Sequence, residues 1–446
     1  MEVCTIGGFA HVGNNMTAVK TGDDVFIFDI GLDIPSLIDM QEGERIHSYT
    51  EEKLRKYGAV PNDLMLDKLG WSDKVRAIFI SHAHLDHVGA IPYLAYRYPN
   101  AVILGTAFSI AVLENLAADE KTPIKNKRII VKENSTQTIK GLKSNYKIDF
   151  IKATHSTIQC SFLALHTPEG VFFYALDFKM DDTPTMGLPP DYEKLKAIGK
   201  EGVKVLIVNS LYSKNPGRSE SEFIARKRLQ SAMDSIRDKN SAFFITTFAS
   251  HIVRLKSIVD FAKRTNREII FLGRSMDKYI RCAIQANQCP FKDNVKLAKF
   301  RGHVNSTLKK IEKDRGKYLV VCTGHQAEEG SVLDRITKDQ SLFKFRQGDN
   351  LIFSSKVIPV GENIEARKRM DNSLKKRGVK IQDNVHVSGH GSSEDIKMLI
   401  EMVKPEYIIP SHGLPKQEQP AVDLAKKMGY NDKTVFLSQD GKLLKF

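Results

Sequence analysis

Ser81-His82-Ala83-His84-Leu85-Asp86-His87 follows directly on the apolar stretch Val75–Ile80 and precedes a helical pattern. Four side chains able to ligate a metal fall within this short run. Without a ligand they would crowd polar groups at a strand end for no packing return. Imidazole and carboxylate with no thiolate suit zinc, and also manganese or iron. Adjacent Asp86 and His87 should point differently from His82 and His84, so one tetrahedral ion cannot take all four. The spacing predicts two ions a few ångströms apart, an arrangement that clamps the attacking and leaving oxygens of a phosphoryl displacement.

Outward from this segment the chain changes rhythm twice. Before it, Glu2–Ile6, Met16–Lys20 and Val25–Ile30 read as strands between glycine turns, and Asp33–Trp71 as a less periodic insertion. After it the pattern predicts a helix over Val88–Tyr98, a strand Val102–Leu104, a helix from Ala107, and strands Ile148–Ala153, Ser161–His166 and Val171–Leu176. From Val203 strands alternate with longer helices. The strands are Val203–Val208, Ala242–Thr246, Glu268–Leu272, Tyr318–Cys322 and Leu351–Phe353. The helices are Ser219–Arg237, His251–Lys263 and Met276–Asn287, the first capped by Ser219 with Glu222 three residues on. This alternation implies βαβ units and a mostly parallel sheet. The end of the chain goes back to the opening rhythm, with strand Val385–Val387, helix Ser392–Met402, strand Tyr407–Ile409, a helix from Lys416, and strands near Val435 and Leu443.

The His-x-His-x-Asp-His segment resembles the signature of the metallo-β-lactamase superfamily. The order of later residues matches it: His155 after the strand ending at Ala153-Thr154, Asp177 after Val171–Leu176, and His412 in Pro410-Ser411-His412-Gly413. The resemblance implies that His82, His84 and His155 take one ion, that Asp86, His87 and His412 take the other, and that Asp177 bridges them. The middle of the chain resembles the β-CASP domain of nucleases in this superfamily, and more narrowly ribonuclease J. The matching segments are Thr246-Thr247-Phe248-Ala249-Ser250, Gly273-Arg274-Ser275-Met276, Cys322-Thr323-Gly324, Phe353-Ser354-Ser355 with Ile358-Pro359, and His386-Val387-Ser388-Gly389-His390-Gly391-Ser392. The implied fold class is α/β, an αββα sandwich interrupted by an α/β β-CASP domain. The implied boundaries are 1–205 and 361–446 for the sandwich and 206–360 for the insertion.

By the same resemblance His390 protonates the leaving oxygen, with Asp177 and Asp86 completing the catalytic set. A histidine near its ordinary pKa suits that task; a structural hydrogen bond at a strand end is the bland alternative. The β-CASP pattern expects an acid after Val203–Val208, where this chain has Asn209. An amide stabilises imidazolium less than a carboxylate does. Ser388, Gly389, Gly391 and Ser392 precede or open a helix, and such a turn can hold an anion. The resemblance makes it a pocket for a 5′-phosphate, with Arg274, Ser275, Ser354 and Ser355 lining the same cleft. His11 is a weaker substrate-binding candidate, and His47, His166, His251, His303, His325 and His386 read as surface or core residues.

The net charge of +14 favours a polyanionic partner. No apolar run reaches the ~18 residues of a membrane helix. The five scattered cysteines read as reduced thiols, and the N-terminus reads as a first strand, so the expected setting is the cytoplasm. Together with the resemblance these readings imply a 5′-to-3′ exoribonuclease on single-stranded RNA. It would prefer 5′-monophosphate ends, work by two-metal hydroxide attack with zinc or else manganese, and form a homodimer. The length resembles the short archaeal form. The competing readings are an endoribonuclease of the polyadenylation-factor type and a metal-containing RNA-binding scaffold.

Overall fold

Strands buried on both faces dominate the first part of the molecule. In Gly170–Ala175, Phe172 and Tyr174 point one way, and Val171, Phe173 and Ala175 the other, and all are buried. Leu163 and Leu165 alternate with Phe162 and Ala164 in the same manner along Ser161–Thr167. Such strands need cover on both sides, which a sandwich of two sheets with outer helices provides.

The computed structural model describes residues 1–43, 49–357 and 361–446. His47 and the segment Ile358-Pro359 therefore lie outside the described residues. The chain divides into two units: 1–182, 188–219 and 389–446 form the first, 183–187 and 220–388 the second.

The first unit is an αββα sandwich. One seven-stranded sheet has the order Lys442–Lys445, Glu2–Gly7, Met16–Thr21, Asp24–Phe28, Val75–Phe79, Val102–Thr106, Arg128–Val131. The other, of six strands, runs Tyr407–Ser411, Val203–Asn209, Gly170–Ala175, Ser161–Thr167, Asn145–Lys152, Ser135–Lys140. Their inner faces share a core in which Phe28 packs on Phe172 with ring centroids 4.8 Å apart, and Phe26 on Tyr146 at 4.9 Å. Truncating Phe28 to alanine here would cost about 3–5 kcal/mol. Helices Tyr192–Glu201, Ser393–Val403 and Pro415–Lys427 cover the outside of the second sheet, and Ala107–Asp119 packs beside Val102–Thr106 of the first.

The second unit holds one six-stranded sheet, all of whose pairings are parallel. Its order is Lys296–Ala298, Glu268–Leu272, Tyr318–Cys322, Phe243–Thr246, Asn350–Phe353, Lys380–Gln382. The unit ends at Ser388, not at 360, because the helix Gly361–Lys376 leads into Lys380–Gln382, which pairs with Asn350–Phe353.

Four predicted elements differ. The helix over Val88–Tyr98 is instead Leu85–Val88, Ile91–Leu94 and a 3₁₀ turn Ala95–Arg97. Pro92 has no N–H to continue the first helix, and the carbonyls of Leu85 and His87 are taken by the amides of Leu32 and Ile30. Helix Glu222–Asp234 is capped by Ser221, not Ser219, whose hydroxyl instead donates to the His390 carbonyl at 2.7 Å. Val385–Val387 is not a strand, and Val435 makes only an isolated bridge to Ile408.

Candidate metal centre

The strands carrying the predicted ligands release them at their carboxyl ends. His82 lies three residues beyond Val75–Phe79, and His84 is the N-cap of the short helix that carries Asp86 and His87. His155 follows Asn145–Lys152, Asp177 follows Gly170–Ala175, and His412 follows Tyr407–Ser411. Asp177 and His412 have left-handed backbones, with φ of 43° and 62°. Such conformations are costly away from glycine and are held by their surroundings; the His412 amide donates to Gly8 O at 2.6 Å.

All seven predicted ligands converge. Nε2 of His82, His87 and His155 each lie 3.4 Å from Asp177 Oδ2, and His412 Nε2 lies 3.7 Å from Asp177 Oδ1. His82, His84, His155 and Asp177 offer donor atoms to one point, and Asp86, His87 and His412 to a second. His84 Nδ1 stands 3.1 Å from Nε2 of both His82 and His155. Burial, reinforced by His82, pushes His84 down to about 3, and burial also lowers His155 and His82. His155 Nδ1 donates to Gly389 O, and His82 Nδ1 to the Ser81 hydroxyl, which itself donates to Asp29, so both rings turn an Nε2 lone pair toward His84 Nδ1 and Asp177. The donor set therefore fits divalent metal, and among the described residues it contains no sulfur.

The electrostatics of Asp177 follow the same logic. Burial alone would raise it, but His412, His390 and His87 hold it well below the ordinary carboxylate range. His87 is raised: burial opposes its charge, but Asp177, Asp86 and Asp29 outweigh burial.

Two residues not anticipated from the sequence orient the ligands. Asp29, itself at φ 56°, accepts from the Ser81 amide and hydroxyl, and its Oδ2 takes His87 Nδ1 at 2.7 Å. Asn15 Oδ1 takes His412 Nδ1 at 3.1 Å, and its Nδ2 donates to the Asp86 carbonyl at 3.0 Å. Such partners fix ring orientation and tautomer. Gly31 lets them approach: a Cβ there would lie 1.7 Å from the Asp86 carbonyl oxygen. A lone Asp or Asn at a strand end carries no spacing signal, so neither stood out in the sequence.

His390 joins the cluster, with Nδ1 3.6 Å from Asp177 Oδ1. Asn209 explains how an amide serves where an acid was expected. Its oxygen accepts from the Leu211 amide at 3.1 Å, and its Nδ2 donates to Asp177 Oδ1 at 2.9 Å and to His390 Nδ1 at 3.2 Å. Nδ1 is thus an acceptor, which leaves the ring proton on Nε2. Burial lowers His390 to about 4.

The turn after Ser388 differs from an open anion nest. The Gly391 amide donates to Phe178 O at 2.5 Å, the Ser392 amide to Asp395 Oδ2 at 2.9 Å, and the Ser392 hydroxyl lies 3.0 Å from that of Ser219. These groups close the turn and cap Ser393–Val403. Gly389 is needed for packing, since a Cβ would meet His155 and Ser156 at 2.9 Å, and its carbonyl takes His155 Nδ1 at 2.7 Å.

In the second unit Arg274 and Ser275 are exposed at the start of helix Arg274–Gln285. Ser354 is fully buried; its hydroxyl donates to Val385 O at 2.9 Å and accepts from Arg254 at 2.8 Å. It has a structural task, which corrects the reading of this hydroxyl as an RNA contact. The Ser355 hydroxyl is buried without a partner. His11 pairs with Asp33 at 3.2 Å, and His166 bridges Asp149 and Glu201 at the surface. All five cysteines are buried and none forms a disulfide.

Family models match along the chain: the metallo-β-lactamase superfamily over residues 11–148, the ribonuclease J β-CASP domain over 240–374, and a Zn-dependent metallo-hydrolase RNA specificity domain over 376–437. Sandwich, inserted parallel sheet and histidine–aspartate cluster together define a metallo-β-lactamase-fold metallo-hydrolase with a β-CASP domain. Ribonuclease J of Pyrococcus abyssi is 36% identical over 446 residues, covering 100% of this chain and 97% of its own length. Ribonuclease J of Methanocaldococcus jannaschii is 34% identical, covering 100% and 99%. Ribonuclease J 1 of Streptococcus pyogenes is 28% identical over 99% of this chain and 74% of its own. The chain belongs to the ribonuclease J family. A crystal structure of a protein of unknown function from Enterococcus faecalis V583 shares the fold, with a TM-score of 0.65 at 16% identity and 99% of both chains covered.

Proposed function

We propose that this metal-dependent ribonuclease degrades single-stranded RNA from the 5′ end and prefers a 5′-monophosphate. The observation that carries the hydrolytic part is the convergence of His82, His87, His155 and His412 on one buried carboxylate, Asp177. In this reading His82, His84 and His155 hold one ion, Asp86, His87 and His412 a second, and Asp177 faces both; zinc is the expected metal and manganese the alternative. Bound divalent ions supply Lewis acidity and ionise water at neutral pH.

The chain's own groups do the rest. Asp29 and Asn15 fix the rings of His87 and His412. Asn209 holds Asp177 and His390 together and leaves His390 Nε2–H to donate a hydrogen bond to the departing 3′-oxygen, which takes its proton from water. The 5′-to-3′ direction rests on the resemblance of the turn Ser388–Ser392. Since the amides of Gly391 and Ser392 are engaged within it, recognition of a terminal phosphate falls to side chains around the turn.

The test uses zinc- or manganese-loaded protein and RNA labelled within its 5′-terminal nucleotide, carrying a 5′-monophosphate, triphosphate or hydroxyl. Early release of labelled mononucleotide, fastest from the monophosphate, is the expected result. Longer labelled fragments formed regardless of the 5′ end would replace the proposal with an endonuclease. Binding without cleavage in either metal would leave an RNA-binding scaffold.

A further inference from the structure

Phe300 is a large apolar side chain left 62% exposed at the start of the helix Arg301–Lys313. Its setting is cationic. Lys299 Nζ lies 5.3 Å from the ring centroid, and Arg301 follows on the helix and is exposed. Arg335, on Val332–Thr337, has a buried Nε with no hydrogen-bond partner, and burial, together with Arg301 beside it, lowers its pKa. Arg274 stands exposed one residue after Gly273, whose amide donates to Ala298 O at 2.9 Å. Gly273 also faces Val332, one helical turn before Arg335. These residues therefore gather at the carboxyl ends of Glu268–Leu272, Lys296–Ala298 and Tyr318–Cys322, the edge at which open parallel sheets bind ligands. The nearby Asp277 is buried and committed to Arg281 at 2.8 Å, with Lys299 at 3.7 Å. Among the described residues, no carboxylate forms an ion pair with Arg274, Arg301 or Arg335.

Three guanidinium groups that form no ion pair, beside an exposed ring, suit a strand that alternates phosphates with flat bases; Asp334, the acid next to Arg335, is paired with Lys338 at 3.2 Å. A protein partner would be expected to meet a broader apolar face, or to find the cations paired. We propose that this face of the second unit holds single-stranded RNA, one base stacked on Phe300 and the adjoining phosphates on Arg301, Arg335 and Arg274. The inference rests on the RNA reading above and adds a gripping surface built from the second unit alone. Stacking is indifferent to sequence because every base has a π-face, so the surface would hold RNA without selecting among sequences.

The test is fluorescence anisotropy of metal-loaded protein with a phosphorothioate oligouridylate of about 16 nucleotides, across a salt series. Phe300→Ala should weaken binding about 10-fold, the size of one lost base stack, and Phe300→Trp should restore it. Arg301→Ala with Arg335→Ala should reduce the salt slope by about 1.4, two single-strand phosphates' worth. Unchanged affinity in Phe300→Ala overturns the proposal. So does equal weakening in Phe300→Ala and Phe300→Trp, which would mark a structural role. Unchanged RNA affinity with altered sedimentation of Phe300→Ala would assign the face to a protein contact instead. Cleavage of ordinary RNA by the wild type is scored separately: binding without cleavage would sink the hydrolase reading and leave the stacking face standing.

Discussion

Among the described residues Arg254 is the largest side chain that is fully enclosed, and its replacement should selectively loosen the second unit. Its guanidinium meets Glu222 through two parallel bonds, Nε to Oε1 at 2.6 Å and Nη2 to Oε2 at 2.8 Å. Nη1 adds donations to Ser354 O, Ser354 Oγ and Val385 O at 2.8–3.0 Å. One buried side chain thus ties helix Glu222–Asp234 to the end of strand Asn350–Phe353 and to the segment after Lys380–Gln382. Arg254→Met takes from the buried Glu222 carboxylate its two-bond guanidinium partner and leaves His251 Nε2 at 3.7 Å, which costs about 3–5 kcal/mol. Removing both charges is different: Arg254→Met with Glu222→Leu should return to within about 2 kcal/mol of wild type, because a buried pair gains little over well-packed apolar groups. Hydrogen exchange of the peptide covering Ile252–Ala262 reads the second unit, and a loss of about 4 kcal/mol accelerates it about a thousandfold. The single tryptophan, Trp71, lies in the first unit, so the urea midpoint of its fluorescence serves as the internal control and should stay put. Exchange faster by less than tenfold in Arg254→Met, or a double variant worse than the single one, would refute this account of the pair.

Three further outcomes test the first unit. Gly31→Ala forces the Asp86–His87 peptide aside, since its Cβ would sit 1.7 Å from Asp86 O; zinc titration should show at least one equivalent bound more than tenfold more weakly, and unchanged stoichiometry and affinity would contradict the packing argument. Asp29→Asn should lower metal affinity about 10- to 100-fold, because His87 loses the carboxylate that orients it; a metal-competition assay decides. Glu418 is fully buried with Oε2 unpartnered, and burial raises it to about 8. The unfolded chain gives up this proton near its ordinary value, the native state only near 8. The first unit should therefore lose stability as pH rises from about 5 to 8, with a slope of up to about 1.4 kcal/mol per pH unit from this group. Asp440, raised to about 6, adds in the same direction over the lower part of that range. Glu418→Gln should flatten the Trp71 urea midpoint against pH, and an undiminished slope would assign the effect elsewhere.

What was legible in the sequence was chemistry concentrated in one place or tied to a strand end. His82 through His87 stand out because so many ligands share one loop, and His155, Asp177 and His412 because each follows an apolar strand. Edges and surfaces were not legible. Arg128–Val131 and Ser135–Lys140 are outer strands with exposed faces, so neither shows an apolar run. Helix Gly361–Lys376 is rich in lysine and arginine and reads as solvated chain, which moved the expected boundary from 388 to 360. The choice between Ser219 and Ser221 as a cap was undecidable locally, because the His390 carbonyl that claims Ser219 comes from 171 residues away.

The same contrast explains why the two orienting residues escaped notice although the ligands did not. A ligand is recognised by what its own side chain can bind. Asp29 and Asn15 matter only through where a left-handed turn and a close backbone approach put them. Asp29 sits at φ 56° and Gly31 two residues on lets Ile30–Leu32 run against the short helix, taking the carbonyls of His87 and Leu85. The strand end thus supplies both the carboxylate for the His87 ring and the backbone that pins the helix carrying it. Asp177 and His412, also left-handed, turn their side chains inward at the ends of the second sheet. Local strain at the two sheets' ends is held by backbone bonds such as His412 N to Gly8 O, so ligand orientation is set by the fold before any ion arrives. It follows that substitutions at Asp29 or Gly31 should change metal affinity more than they change the stability of the sandwich.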